Sequence, residues 1–290
     1  MKDQTLPNLI CVGAQKAGSS SLYKLLKSHP EIYLSDKKEI HYFNVEEEYK
    51  KGLDYYASFF KDNKNKKNIG ECTPDYLQYL FVPKRILKDL GKIKILIILR
   101  NPVDRSYSQF NFHKMLNLEK KQTDFETCLK AEKENFEINE RIEWYKPAFY
   151  KSKSLYYNQV KRYYDTFGKE NVHIIIFEEM VKDRNNPNLK STCKFLSVSE
   201  NHTFTNDHSN PTVMNFESNY VKSLRKIKNM ASKILPKSII NPIKDYTIKK
   251  VYKSPDKLNL ELKKELFNTY FSKDVEKLEE LTQLDLSIWK

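Results

Sequence analysis

Glycine is scarce in this chain, six residues in 290, which excludes a glycine-rich or low-complexity protein. Cysteine is sparse too. Cys11, Cys72, Cys128 and Cys193 stand far apart, a spacing without metal-ligand pairs, and it predicts reduced thiols in a cytoplasmic protein. No apolar run approaches the roughly 20 residues of a membrane-spanning helix. Met1–Pro7 leads almost directly into an apolar segment, which leaves no room for a secretory signal. Acidic residues are outnumbered, 38 Asp and Glu against 51 Lys and Arg, for a net charge of +13. That excess favours an anionic partner: nucleic acid, an acidic membrane surface, a polyanionic glycan or a multiply phosphorylated cofactor. The lysines are scattered through the whole chain, however, as solvated faces also are, so charge alone does not choose.

What is present is a substantial core supply, 39% hydrophobic with 16 Phe and 19 Tyr, ordered as an alternation of strands and helices. Leu9–Val12, Glu31–Leu34, Asn68–Cys72, Lys94–Arg100 and Val172–Phe177 read as strands. Lys94–Leu99 is apolar on both faces, as a central parallel strand is. Helical spacing follows Ser21, and recurs over Gly52–Phe60, Val82–Leu90, Leu155–Tyr164, Leu189–Leu196 and, as one charged helix, Asn259–Leu281. Phe110–Phe149 is expected to be a helical, charged elaboration over one edge of the site. Lys222–Lys244 holds seven basic residues and no acidic one around Leu224, Ile227, Met230, Ile234 and Leu235, the pattern of a basic amphipathic helix that suits an anionic surface or a lid. No repeat or linker interrupts the order, so the expectation is one α/β domain over residues 1–290 with helical additions.

Three stretches carry chemistry. Gly13-Ala14-Gln15-Lys16-Ala17-Gly18-Ser19-Ser20-Ser21-Leu22 lies between the first strand and the first helix. Backbone N–H groups at such a helix start point at an anion and the helix dipole favours it. Lys16 adds a mobile cation, and the serines offer hydroxyls or a helix cap. The loop is not the triphosphate-binding pattern, in which lysine follows the second glycine; Lys16 comes two residues before Gly18. Secondly, Lys94–Leu99 ends in Arg100-Asn101-Pro102, with Ser108 two helical turns on. Ligands of open α/β sheets bind beyond the strands' carboxyl ends, so Arg100 shares an edge with Lys16. It either grips a phosphate or pairs with Asp104. Thirdly, Glu39 and His41 stand two apart and project together if the segment is extended, as a general-base pair or as a surface charge pair.

Together these stretches resemble the sulfotransferase family that uses 3′-phosphoadenosine 5′-phosphosulfate, in particular its bacterial branch and the heparan-sulfate sulfotransferase domains. The Lys16 loop is similar to the family's 5′-phosphosulfate loop, Arg100 through Ser108 to its 3′-phosphate motif, and Lys38-Glu39-Ile40-His41-Tyr42-Phe43 to the segment with its catalytic glutamate. Asp274–Glu279 and the Asp285–Trp289 ending look like its C-terminal helix and Trp terminus. The resemblance implies a P-loop-like three-layer fold, a central parallel sheet flanked by helices. It implies a donor site of Gln15, Lys16, Ala17, Gly18, Ser19, Ser20, Ser21, Arg100 and Ser108, with Tyr156 or Tyr157 near the adenine or the 3′-phosphate.

Lys16 would stabilise the charge on the leaving oxygen and Glu39 would take the acceptor proton. His41 would position the acceptor or share the base role. Adenosine 3′,5′-bisphosphate would be the product, no metal is required, and the acceptor would be a saccharide or a small natural product. Two departures bear on the acceptor: Cys72 stands where heparan-sulfate enzymes often have a lysine, and their C-terminal disulfide loop has no counterpart. The rival readings are a P-loop kinase, which needs an acidic metal ligand at a strand end, and a non-enzymatic binder of nucleic acid or membranes.

Overall fold

The structure is a computed structural model that describes residues 5–61, 66–115, 118–119, 122–132, 149–182, 187–204, 214–215, 252–253 and 257–290. Five parallel strands form its centre: β1 Leu9–Gly13, β2 Ile32–Leu34, β3 Asn68–Cys72, β4 Lys94–Leu99 and β5 Val172–Ile176. Their order across the sheet is β2-β3-β1-β4-β5. The first strand is therefore central, with Leu9 level with Gly70 on one side and Lys94 on the other. On one side β4 and β5 follow outward in chain order; on the other β2 takes the edge and β3 fills the place between it and β1, and the switch of direction beside β1 opens a crevice at the strands' carboxyl ends.

The apolar runs explain this placement. All of Leu9–Gly13 and all of Ile95–Leu99 are buried, and each fully buried aliphatic side chain there contributes about 1.5–3 kcal/mol. Helices cover the sheet: α1 Ser19–Ser28, α2 Glu46–Tyr49, α3 Gly52–Ala57, α4 Val82–Leu90, α5 Pro102–Met115, α6 Phe125–Ala131, α7 Tyr157–Phe167, α8 Phe177–Lys182, α9 Pro187–Leu196, α10 Leu260–Tyr270 and α11 Ser272–Thr282. A two-residue antiparallel pair, Met214–Asn215 with Tyr252–Lys253, stands apart from the main sheet. One cluster of buried apolar residues runs from Leu9 to Trp289.

The α/β class and the central parallel strand agree with the sequence reading. Phe110–Phe149 is helical in parts of its described stretch, α5 to Met115 and α6 from Phe125, where Asp124 is the cap and accepts from Thr127 N at 2.8 Å; residues 116–117, 120–121 and 133–148 lie outside the described residues. One expectation changes. The C-terminal helix is two, broken at Phe271, whose ring is 1% exposed. The break lets Phe271, Val275 and Leu278 bury while Asp274 reaches the start of α7, accepting from Tyr156 N at 2.6 Å. The basic segment Lys222–Lys244 lies outside the described residues.

Candidate active site

The Lys16 loop leaves β1 and enters α1 through Gly18, whose φ is 97°. A Cβ there would sit 2.3 Å from the Phe177 ring, so both the backbone and the packing require glycine. No side chain caps α1. The serine cap considered from sequence is not formed, and the positive end of the helix stays open to an anion. Ala17 and Ser19 are buried, Gln15 and Ser21 half-buried, and Ser20 is exposed.

Lys16 has a left-handed backbone, φ 66°, a conformation uncommon outside glycine and held only by its surroundings. Arg100 supplies part of that hold, its Nη1 donating to the Lys16 carbonyl at 3.4 Å. The two cations are thus neighbours across the β1–β4 edge, as the strand ends predict. Burial first, then the charges of Arg100 and Arg105, bring the Lys16 ammonium down to a pKa of about 8, with Glu39 pulling the other way.

Arg100 does not pair with Asp104. That carboxylate takes Lys263 at 2.7 Å, and the buried Nε of Arg100 has no hydrogen-bond partner among the described residues. Phe177 lies against its guanidinium, 5.0 Å away. Tyr156 is fully buried and gives its hydroxyl to the Arg100 carbonyl at 2.9 Å, so it supports the strand end and exposes no surface. Ser108 is half-buried on α5, two turns beyond Pro102.

Sequence reasoning missed the residues that brace this edge. Arg105 is fully buried and, among the described residues, pairs with no carboxylate. It donates to Ser154 Oγ (2.5 Å), Gln109 Oε1 (2.9 Å), the Tyr150 carbonyl (2.8 Å) and the Gln15 carbonyl (3.3 Å). Burial lowers its pKa to about 10. Its place in the Arg100–Ser108 stretch was the available signal. Lys153 carried none; its Nζ reaches Gln15 Oε1 at 3.4 Å, beside a cleft that Ala14, Gln15, Gln78 and Arg105 also line. Asn101 caps α5, accepting from Val103 N and Asp104 N, and donates to the Trp289 carbonyl. Trp289 and Asn101 N both donate to Glu178, so the chain's end ties down the loop that carries Arg100.

Glu39 and His41 do meet, Oε2 to Nε2 at 3.6 Å, but the segment is not extended. Both residues are left-handed, φ 64° and 60°, because the chain turns here while Glu39 N donates to the Cys72 carbonyl. Lys38 also holds Glu39, Nζ to Oε1 at 2.7 Å. Burial acts to raise the Glu39 pKa, but the His41 and Lys38 contacts outweigh it and bring it to about 2. His41 is oriented from its other nitrogen, Nδ1 lying 3.2 Å from Asn44 Oδ1. Beneath the segment lies Glu71, fully buried. It accepts from Tyr56 (2.7 Å), Tyr76 (3.1 Å) and Thr73 (2.5 Å), and Tyr76 in turn accepts from Phe43 N at 3.3 Å. Burial raises the Glu71 pKa. The site therefore unites an open helix start, two neighbouring cations and an ionised carboxylate beside an imidazole. Such a set can hold a polyanion and accept a proton. Among the described residues no group of three or more His, Cys, Asp or Glu could hold a metal ion.

A family model described as "Sulfotransferase domain" matches residues 6–261. The solved sulfotransferase of Alicyclobacillus acidocaldarius is 29% identical with a TM-score of 0.67, covering 98% of this chain and 99% of its own. Heparan sulfate glucosamine 3-O-sulfotransferase 5 of Mus musculus is 30% identical over 200 residues, 67% of this chain and 54% of the relative. The membrane-associated sulfotransferase kil1 of Dictyostelium discoideum is 40% identical over 110 residues, 37% of this chain and 23% of the relative. The chain thus spans about half or less of the length of these curated relatives.

Proposed function

This chain belongs to the sulfotransferase domain family, and we propose that it moves the sulfuryl group of 3′-phosphoadenosine 5′-phosphosulfate to a hydroxyl or amine of a saccharide or small-molecule acceptor. The observation that carries this reading is the pair of adjoining cations, Arg100 donating to the backbone of Lys16 beside an uncapped helix start. A donor with phosphates at both ends needs two such anion sites, and the partnerless Nε of Arg100 fits one of them. When bound, the donor supplies an activated sulfuryl group on a phosphate leaving group, chemistry in which positioning and charge stabilisation do most of the catalysis.

In this reading the amides of Gly18 to Ser21 bind the 5′-phosphate and Arg100 with Ser108 grips the 3′-phosphate. Gln15 and Ala17 shape the loop, and Tyr156 works through Arg100. Lys16 meets the charge that develops on the leaving oxygen. Glu39 accepts the acceptor proton, and His41, fixed by Asn44, orients the acceptor or shares that role. Glu39 can do so only once an incoming hydroxyl displaces Lys38 or His41 from its oxygens, since a carboxylate with pKa near 2 is a weak base. We read residues 1–290 as a single domain, a reading the continuous core supports. The four free thiols support a cytoplasmic setting, and no described helix is long and apolar enough to cross a membrane.

Calorimetry of adenosine 3′,5′-bisphosphate against ATP with magnesium tests the donor, and radiolabelled-sulfate transfer to a panel of glycans and metabolites tests the acceptor. Binding of the bisphosphate in preference to ATP is expected. Preference for ATP with magnesium, or steeply salt-dependent binding of DNA or anionic lipid with no preference for a 3′-phosphate, overturns the reading.

A further inference from the structure

The ammonium of Lys16 lies 4.2 Å from the centroid of the Phe112 ring. Phe112 is half-buried on α5, four residues after Ser108 and so on the same row of the helix. Three other cations of the site are held by oxygens, while Arg100, like Lys16, lies against an aromatic ring, that of Phe177. Lys38 has the Glu39 carboxylate, Lys153 the Gln15 amide, and Arg105 two carbonyls, a hydroxyl and an amide. Among the described residues no hydrogen bond acts on the Lys16 ammonium; its surroundings are burial, the cations Arg100, Arg105 and Lys38, the Glu39 carboxylate, and nearby His113.

Resting on the sulfuryl-transfer reading, we infer that Phe112 is a positioning residue for Lys16, holding the ammonium by its ring face while leaving the N–H donors for the leaving-group oxygen. A carboxylate in that place would fix the lysine equally well. It would also occupy a donor and set a negative charge against an anionic substrate. An aromatic face attracts the cation through its quadrupole and carries no net charge. It also opposes the loss of the proton that burial and the surrounding cations promote, so Lys16 stays charged at neutral pH.

The test replaces Phe112 with 4-fluoro-, 3,5-difluoro- and 3,4,5-trifluorophenylalanine, which keep the ring and drain its face of negative potential. The measurement is adenosine 3′,5′-bisphosphate affinity against pH, by calorimetry on the full chain. The alkaline limb of binding should move to lower pH step by step, by about one unit across the series, which is about tenfold in affinity on that limb. Phe112→Trp should preserve the limb, and Lys16→Arg should remove it, which identifies the titrating group. Phe112→Leu should match the trifluoro chain; the fluorinated series stands by itself if that variant does not fold. A limb that stays put under fluorination, or that persists in Lys16→Arg, overturns the inference while leaving the donor assignment intact. A wild-type chain that binds no bisphosphate at any pH sinks the donor assignment itself.

Discussion

The two sides of the site are built in opposite ways. On the donor side, cations sit at the ends of buried strands and are braced through their backbones, and among the described residues no carboxylate pairs with Lys16 or Arg100. On the acceptor side, the charges stand on an irregular segment between β2 and α2 and neutralise one another, Lys38 and His41 closing on Glu39. The proposed donor side is thus a concentration of positive charge set by the sheet. The proposed acceptor side is a ready-paired cluster, whose base a substrate would free by intervening. A polyanionic donor can be drawn in by open charge, whereas a neutral hydroxyl has to compete for an oxygen already in use.

The comparison breaks most visibly where each side loses its active group. Glu39→Gln should lower turnover by about 10²–10⁴-fold with donor affinity unchanged, and Lys16→Ala should lower it by about 10²–10³-fold. Both are read in single-turnover sulfate transfer, and near-normal rates in either variant would remove that residue from its role. Next, Arg100→Ala should weaken adenosine 3′,5′-bisphosphate binding by about 10–100-fold, the scale of a hydrogen bond to a charged group, without a matching loss of turnover at saturation. Unchanged affinity by calorimetry would place the 3′-phosphate elsewhere.

Lys38→Met sharpens the other side. Removing the cation lets the Glu39 pKa climb from about 2 toward its ordinary value, so the acid limb of kcat/KM should move to higher pH. The variant should lose activity on acidification before the wild type does. An unmoved limb would show that Lys38 does not hold the base.

The smallest effect concerns Asp274, which braces the start of α7. Burial raises its carboxyl to about 6, against the opposing N–H groups of Tyr157 and Tyr156. Because the folded pKa lies above the ordinary value of about 3.9, the folded state binds the proton more tightly. This group's contribution is therefore complete below pH 4 and is lost as pH rises through 6. Glu39 acts in the opposite sense: its lowered pKa gives a contribution present above about 4.5 that is lost as pH falls toward 2. Between pH 5 and 7 the wild-type Tm should fall by a few degrees relative to that of Asp274→Asn, and a constant difference would remove Asp274 as the titrating group.

Much of the donor side was legible in the chain. Leu9–Gly13 and Lys94–Leu99 are apolar on both faces, so they had to be central and parallel, and Lys16 and Arg100 follow them directly. The acceptor side was legible only as residue types. Glu39 and His41 meet as the alternation suggests, yet through left-handed turns that no local pattern announces. Glu71 looked like an ordinary strand residue, because its role depends on Tyr56 and Tyr76 arriving from other elements.

The sequence alone determined the sheet, its central strands and the edge where an anion would bind. Each follows from short-range facts, namely apolar periodicity, one glycine before a helix and a cation after a strand. Only the tertiary structure decided which charges are spent and which stay open. It gave Asp104 to Lys263 and so freed Arg100, set Phe112 rather than a carboxylate beside Lys16, and joined Trp289 to Asn101 across the length of the chain. Whether a charge is paired depends on what lies within a few ångströms of it in space, and residues that close can be more than a hundred positions apart in sequence.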